Sequence, residues 1–227
     1  MLVLTPAQVA ALIDHTLLKP DATDAEIEAL CTEAVAQGFK AVCVNPWHLP
    51  RVVARLRGER PLPITVAGFP LGASQPQAKA REAGLAVEQG AGEVDMVLNI
   101  GALKSGQPET VRQDIAEVVR ACAGIPVKVI LETCLLTDAE KELACRLAVE
   151  AGAAFVKTST GFSRGGATQA DVTLMRRLVG PKVGVKASGG IRTYTELLGM
   201  VQAGADRIGA SSGAEIVAQA AHSKGVL

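Results

Sequence analysis

Residues 126–160 read PVKVILETCLLTDAEKELACRLAVEAGAAFVKTST, and this stretch decides the fold. Pro126 stops what precedes it and introduces a β-prone run over 126–131. Thr137-Asp138-Ala139-Glu140 then has the form of a capping box: a hydroxyl for an orphan helix N–H, and a carboxylate three residues on. The helical segment ends at Ala151-Gly152, where glycine can take the left-handed conformation that closes a helix. A second β-prone run follows at 155–158. The stretch is therefore a strand, a helix and a strand with short connections, and such a unit makes its two strands parallel.

The same unit repeats outward in both directions. Capping-box patterns start at Thr5, Thr23, Ser74, Thr137, Thr168 and Thr193, and helix stops fall at Gly38, Gly90, Gly152 and Gly204. After Thr23 the residues Ile27, Leu30, Cys31, Ala34 and Val35 share one helical face. Seven strands are expected near 41–44, 63–67, 93–98, 126–131, 155–158, 183–187 and 206–210, and a weaker eighth near 13–17. Eight βα units with no dinucleotide fingerprint favour a closed barrel over an open sheet. The expected fold is α/β, a single (β/α)8 TIM barrel with an extra N-terminal helix, one domain over 1–227.

Composition agrees with that and excludes other classes. Apolar residues make up 48% of 227, so the core can be large, and aromatics at 3% mean it is built from Ala, Val, Leu and Ile. There are 23 basic and 23 acidic residues, without the basic excess of a nucleic-acid binder, so any anion site is local. No run of about 18 apolar residues suggests a membrane span. The start MLVLTPAQ lacks the basic flank and apolar run of a signal peptide, which points to the cytoplasm. Cys31, Cys43, Cys122, Cys134 and Cys145 are odd in number and show no CxxC, so they read as buried thiols. His15, His48 and His222 show no ligand spacing, so no metal and no cofactor is expected, and activity should survive EDTA. A homodimer is the default oligomer.

Strand alternation places the chemistry. In GEVDMVLN it sets Asp95 with Val97 and Asn99 on the face opposite Val94, Met96 and Leu98, and in a barrel the Asp95 face looks inward. The same reasoning turns Lys128, Lys157 and Lys186 inward, so strands four to seven each place an ionisable group inside. Three lysines cannot all be neutralised by one aspartate, and crowded cations in a low-dielectric site lower one another's pKa. An ordinary lysine, pKa about 10.4, is only about one part in a thousand neutral near pH 7.4. A desolvated lysine beside another cation becomes an amine that attacks carbonyls, and a nearby carboxylate relays its protons. Lys157, next to Thr158, Ser159 and Thr160, reads as the covalent residue, and Lys186 as its electrostatic tuner.

Glycine- and serine-rich loops follow three strands: Ser159 to Gly166, Ser188-Gly189-Gly190, and Gly209-Ala210-Ser211-Ser212-Gly213, which opens a helix. Loops after the last two strands of such barrels, joined to a helix N-terminus, are the usual phosphate site of the fold. Two other readings stay open. A phosphosugar isomerase or epimerase would want a Glu or Cys/His base, and Glu132 offers one, although at its strand end it is equally a partner for Lys128. A phosphosugar sensor would keep the loops without a pKa-lowered amine.

The stretches DHTLLKP (14–20), AVCVNP (41–46), GFPLG (68–72), EVDMVLNIGALKSG (93–106), VKVILETCLLT (127–137), FVKTSTGF (155–162), VKASGGIR (185–192) and RIGASSG (207–213) resemble the deoxyribose-phosphate aldolase family. They run in order over nearly the whole chain. The resemblance implies metal-free, reversible cleavage of 2-deoxy-D-ribose 5-phosphate to D-glyceraldehyde 3-phosphate and acetaldehyde. It makes Lys157 the Schiff-base lysine, Lys186 its neighbouring cation and Asp95 a proton-moving carboxylate. It matches Gly189, Gly190, Ser211 and Ser212 to a phosphate cradle, and puts Thr16, Cys43, Thr158 and Gly161 near the pocket. In the family FVKTSTGF is commonly followed by glycine, and here by Ser163. Some members carry a tyrosine in their tail near the active site; the only tyrosine here is Tyr194, and the sequence ends HSKGVL.

Overall fold

A computed structural model describes residues 2–222. In chain order the elements are α1 (Pro6–Ala10), β1 (Ile13–Leu17), α2 (Asp24–Gln37), β2 (Ala41–Val44), α3 (Leu49–Arg55), β3 (Leu62–Ala67), α4 (Pro76–Glu88), β4 (Glu93–Val97), α5 (Ile100–Lys104) and α6 (Pro108–Ala121). They continue with β5 (Val127–Ile130), α7 (Asp138–Glu150), β6 (Phe155–Lys157), α8 (Gln169–Val179), β7 (Gly184–Ser188), α9 (Tyr194–Gln202), β8 (Arg207–Ala210) and α10 (Gly213–His222). Short 3-10 turns at Pro46–His48 and Thr133–Leu135 follow β2 and β5.

The eight strands pair in sequence order, all parallel, and β8 returns to β1, so the sheet is a closed barrel. Every expected strand is present within one residue of its expected bounds. The strand with the weakest sequence signal, β1, closes the barrel by pairing with both β2 and β8. The N-terminal helix is α1, and it packs against α10. No helix among the described residues is long and apolar enough to cross a membrane.

Local signals act as expected at most helix ends. Reciprocal capping boxes form at Thr5, Thr23, Thr137 and Thr193, and Thr168 caps α8 through the N–H of Asp171. Ser74 does not cap α4. Gln75 holds that position with no side-chain bond, because Pro76 and the glycine-bounded turn before it set the entry instead. Gly38 closes α2 at φ 71°, as its stop signal requires.

The apolar core lies between the strands and the helix layer. Val94, Met96, Val129, Val156, Val185 and Ile208 of the strands belong to one buried cluster with Ile27, Ile115, Ala144 and Ile216 of the helices. Each buried aliphatic chain of this size contributes about 1.5–3 kcal/mol. The barrel interior is divided. Its β2–β3 side is apolar, with Ala41, Cys43, Ile64 and Val66, and its remaining wall is charged. Four of the five thiols are buried as expected, but Cys134 is only half-buried, because its strand end turns into an exposed loop.

Candidate active site

Asp95, on β4, is wholly buried at the centre of the barrel. Lys128 donates to its Oδ1 at 2.7 Å, while Lys157 and Lys186 both donate to its Oδ2, at 2.8 and 2.7 Å. Lys157 and Lys186 stand directly opposite each other in the register of β6 and β7.

The interior holds more charge than three lysines against one aspartate. Asp14 on β1, Glu93 at the start of β4 and Arg207 on β8 are buried in the same space. Lys186 reaches Asp14 at 2.6 Å as well as Asp95. Lys128 reaches Glu93 at 2.5 Å as well as Asp95. Arg207 spans Asp14 and Glu93. Four cations therefore meet three carboxylates, and three of the cations each hold two carboxylates. Lys157 holds one, and shares that oxygen with Lys186. When a proton leaves this network, Lys157 gives up the least electrostatic stabilisation.

The titration directions follow. Burial lowers the Lys157 pKa, Asp95 opposes this, and the Lys186 charge adds to the lowering. Burial also works against the Lys186 charge, but Asp14 and Asp95 outweigh it and hold this amine firmly protonated. Asp95 resists burial through Lys128, Lys157 and Lys186 and stays well below the carboxylate range. Desolvation is thus the leading cause at Lys157, and crowding of like charge the lesser one.

Lys157 is the last residue of β6, and it lines a cleft of about 270 Å³ at the C-terminal end of the barrel. Thr16, Gly161, Gly189, Gly190 and Ser211 line that cleft with it. Gly189 and Gly190 turn the chain there at φ 88° and 81°. Gly166 packs onto Gly189 so closely that a Cβ would lie 2.2 Å from the Gly189 carbonyl oxygen. The two loops are thereby fastened together.

Other expected site residues lie elsewhere. Asp95 and Lys186 sit below the cleft floor, reached through Lys157. Cys43 is buried in the interior wall, where burial raises its thiol pKa. Thr158 does not line the cleft: its hydroxyl donates to the Ser188 carbonyl and accepts the Ser188 N–H, both at 3.0 Å, stitching β6 to β7. Ser212 stands just outside the lining, where its carbonyl accepts the Ile216 N–H and starts α10. Glu132 is not a partner of Lys128. It takes a left-handed backbone conformation, φ 56°, and its carboxylate accepts the N–H and hydroxyl of Thr160. Residues 223–227 of the tail lie outside the described residues.

Sequence reasoning did not name Asp14, Glu93 and Arg207, nor Lys19 and Arg192, two cations lining the cleft mouth. Alternation in IDHTL and DRIGA would have turned Asp14 and Arg207 inward by the logic applied to Lys128.

A family model described as DeoC/LacD family aldolase matches residues 8–224. A deoxyribose-phosphate aldolase of Brevibacillus brevis is 60% identical over 205 residues, covering 90% of this chain and 93% of that protein. One from Carboxydothermus hydrogenoformans is 58% identical over 214 residues, covering 92% and 94%. The solved deoxyribose phosphate aldolase of Aeropyrum pernix, a tetramer, has TM-score 0.88 at 35% identity, covering 94% of this chain and 91% of that one. A solved aldolase designated QR15 has TM-score 0.91 at 38% identity, covering 96% and 98%.

Proposed function

The chain belongs to the DeoC/LacD family of aldolases, and from that premise we propose how its geometry carries out reversible cleavage of 2-deoxy-D-ribose 5-phosphate. The observation that carries the proposal is Lys157: among the described residues, the one barrel-interior cation with a single, shared carboxylate, and the one that lines the cleft. Its neutral amine attacks C1 of the open-chain sugar. Loss of water from the carbinolamine gives an iminium. Removal of the C3 hydroxyl proton sends the C2–C3 bonding pair into the iminium, releasing D-glyceraldehyde 3-phosphate and leaving an enamine. Protonation at C2 and hydrolysis release acetaldehyde and restore the amine. Asp95 lies within hydrogen-bond reach of Lys157 and takes and returns the protons these steps require, while Lys186, held protonated beside it, acts through its charge.

The phosphate is placed at Gly189, Gly190, Ser211 and Ser212, beside the N-terminus of α10, with Lys19 and Arg192 at the mouth adding positive charge. Thr16 and Gly161 shape the wall around the sugar, and Thr158 and Cys43 support it from behind. Phosphate binding then holds the carbonyl at the amine, so dephosphorylated sugar should react far more slowly. A homodimer in a reducing cytoplasm is the proposed setting, supported by five unpaired cysteines and by the prevalence of two-fold pairs.

Borohydride reduction in the presence of acetaldehyde, followed by peptide mass mapping, tests the assignment. The adduct is expected on the peptide containing Lys157, and an adduct on Lys186 instead would reverse the two roles.

A further inference from the structure

His15 sits on the outer face of β1, opposite Ala210 of β8 in the strand register. It is 2% exposed, and its ring packs on Phe39 with centroids 4.8 Å apart. Its Nε2 is tied to Glu33 of α2 at 2.5 Å. Its Nδ1 is buried and turned toward the backbone of Ala210, the last residue of β8. That nitrogen and the Phe39 ring lie directly under Gly213, the first residue of α10: a Cβ added there would fall 2.8 Å from Phe39 and 3.0 Å from Nδ1. The turn Ser211-Ser212-Gly213 therefore rests on the His15–Phe39 pair, beside N–H groups that helix geometry leaves without internal partners.

We propose that His15 is a positioning residue for phosphate recognition, anchored by Glu33 and setting the height and tilt of the β8–α10 turn. This rests on the phosphate placement made above. The ring touches neither sugar nor amine. It fixes a turn whose backbone meets the phosphate, and a loss of that registry is felt in binding of the anion alone.

The test compares 2-deoxyribose 5-phosphate with 2-deoxyribose, and uses inorganic phosphate as a competitive inhibitor. In His15→Leu, KM for the phosphorylated sugar and Ki for inorganic phosphate should both rise about tenfold or more. The kcat/KM for 2-deoxyribose, and borohydride trapping of acetaldehyde on Lys157, should stay within about twofold. His15→Gln, whose amide can reach Glu33, should recover most of the loss. Gly213→Ala, which presses a methyl onto His15 and Phe39, should reproduce the phosphate-selective defect even where His15→Leu folds poorly. Equal losses for both sugars, or an unchanged Ki for inorganic phosphate, would overturn the role of His15. A wild-type protein that does not distinguish the two sugars overturns the phosphate placement itself, which the wild-type assay reveals without any variant.

Discussion

Lys79 on α4 and Lys157 on β6 are both lysines taken almost wholly out of water, at 0% and 3% exposure. Burial is the leading cause of a lowered pKa at both. Their surroundings differ. Lys79 has Asp114 of α6 to itself, at 2.5 Å, and donates also to the Val97 carbonyl at 3.0 Å, sealed between helices and strand. Lys157 shares one oxygen of Asp95 with Lys186 and opens to a cleft. A lowered amine pKa thus reports desolvation, which structural and reactive lysines share. What marks the reactive one is a contested counter-ion and a path for a carbonyl to reach it.

The largest expected effect separates the two directly. Lys157→Leu should abolish borohydride-dependent trapping and lower kcat by roughly 10³-fold or more, as removal of a covalent nucleophile does. Lys79→Met should keep trapping on Lys157 at the wild-type stoichiometry. Label appearing on Lys79 would break the comparison.

Next comes the cation beside Lys157. The amine attacks only when neutral, so trapping rises with pH through its pKa. Removing Lys186 removes the like charge that favours the neutral form, and frees Asp95 to hold the Lys157 proton. The rising limb of a trapping–pH profile should therefore move to higher pH in Lys186→Leu, with some trapping retained. A limb at lower pH would show that Lys186 is not acting through charge on Lys157.

Both lysine settings were unequally legible in the sequence. Strand period is a strict two, so Asp95, Lys128, Lys157 and Lys186 could be turned inward from alternation alone. Asp14 and Arg207 carry the same signal of alternation, but polar neighbours, His15 and Thr16 in β1 and Asp206 before β8, blur the contrast between the two faces. Lys79 gave none: it is one of several charged residues in PQAKAREAGLAVE, and its burial depends on Asp114, 35 residues away on another helix. Glu132, which bonds Thr160 and not Lys128, and Ser74, which leaves the cap position to Gln75, show the same limit. What a side chain bonds is decided by the loop folded over it, and loop geometry has no period to read.

The buried helix pair supplies the next test. Lys79→Ala leaves Asp114 charged and unpaired between α4 and α6, and should cost about 3–5 kcal/mol in urea unfolding. The paired change Lys79→Met with Asp114→Leu should cost far less, since two desolvated charges are removed together. A double variant no more stable than the single one would mean that the Val97 carbonyl contact, not the ion pair, dominates this site.

The smallest effect concerns acid, and there the two regions pull with opposite sign. Asp14 and Asp95 have folded-state pKa values lowered, against burial, by Lys186, Arg207 and Lys128. Their unfolded counterparts bind protons near the ordinary value of 3.8. Between those values the unfolded chain binds more protons, so this stabilisation is complete above about pH 5 and drains as pH falls. Asp114 is the reverse: burial raises its pKa, Lys79 opposing. Its folded form protonates first, so on acidification it offsets part of what the barrel loses. The exposed caps Glu26, Glu140 and Glu196, lowered by hydrogen bonds from threonine N–H groups and neighbouring donors, act alike in any variant. Replacing Lys79 and Asp114 by Met and Leu removes only the offset. Unfolding free energy measured in urea at pH 3.5 to 5 should therefore fall more steeply with acid in the double variant, by at most about 1.4 kcal/mol per pH unit for one proton. An equal or shallower slope would show that Asp114 stays ionised in the fold, and that the pair between the helices is as fully charged as the network in the barrel.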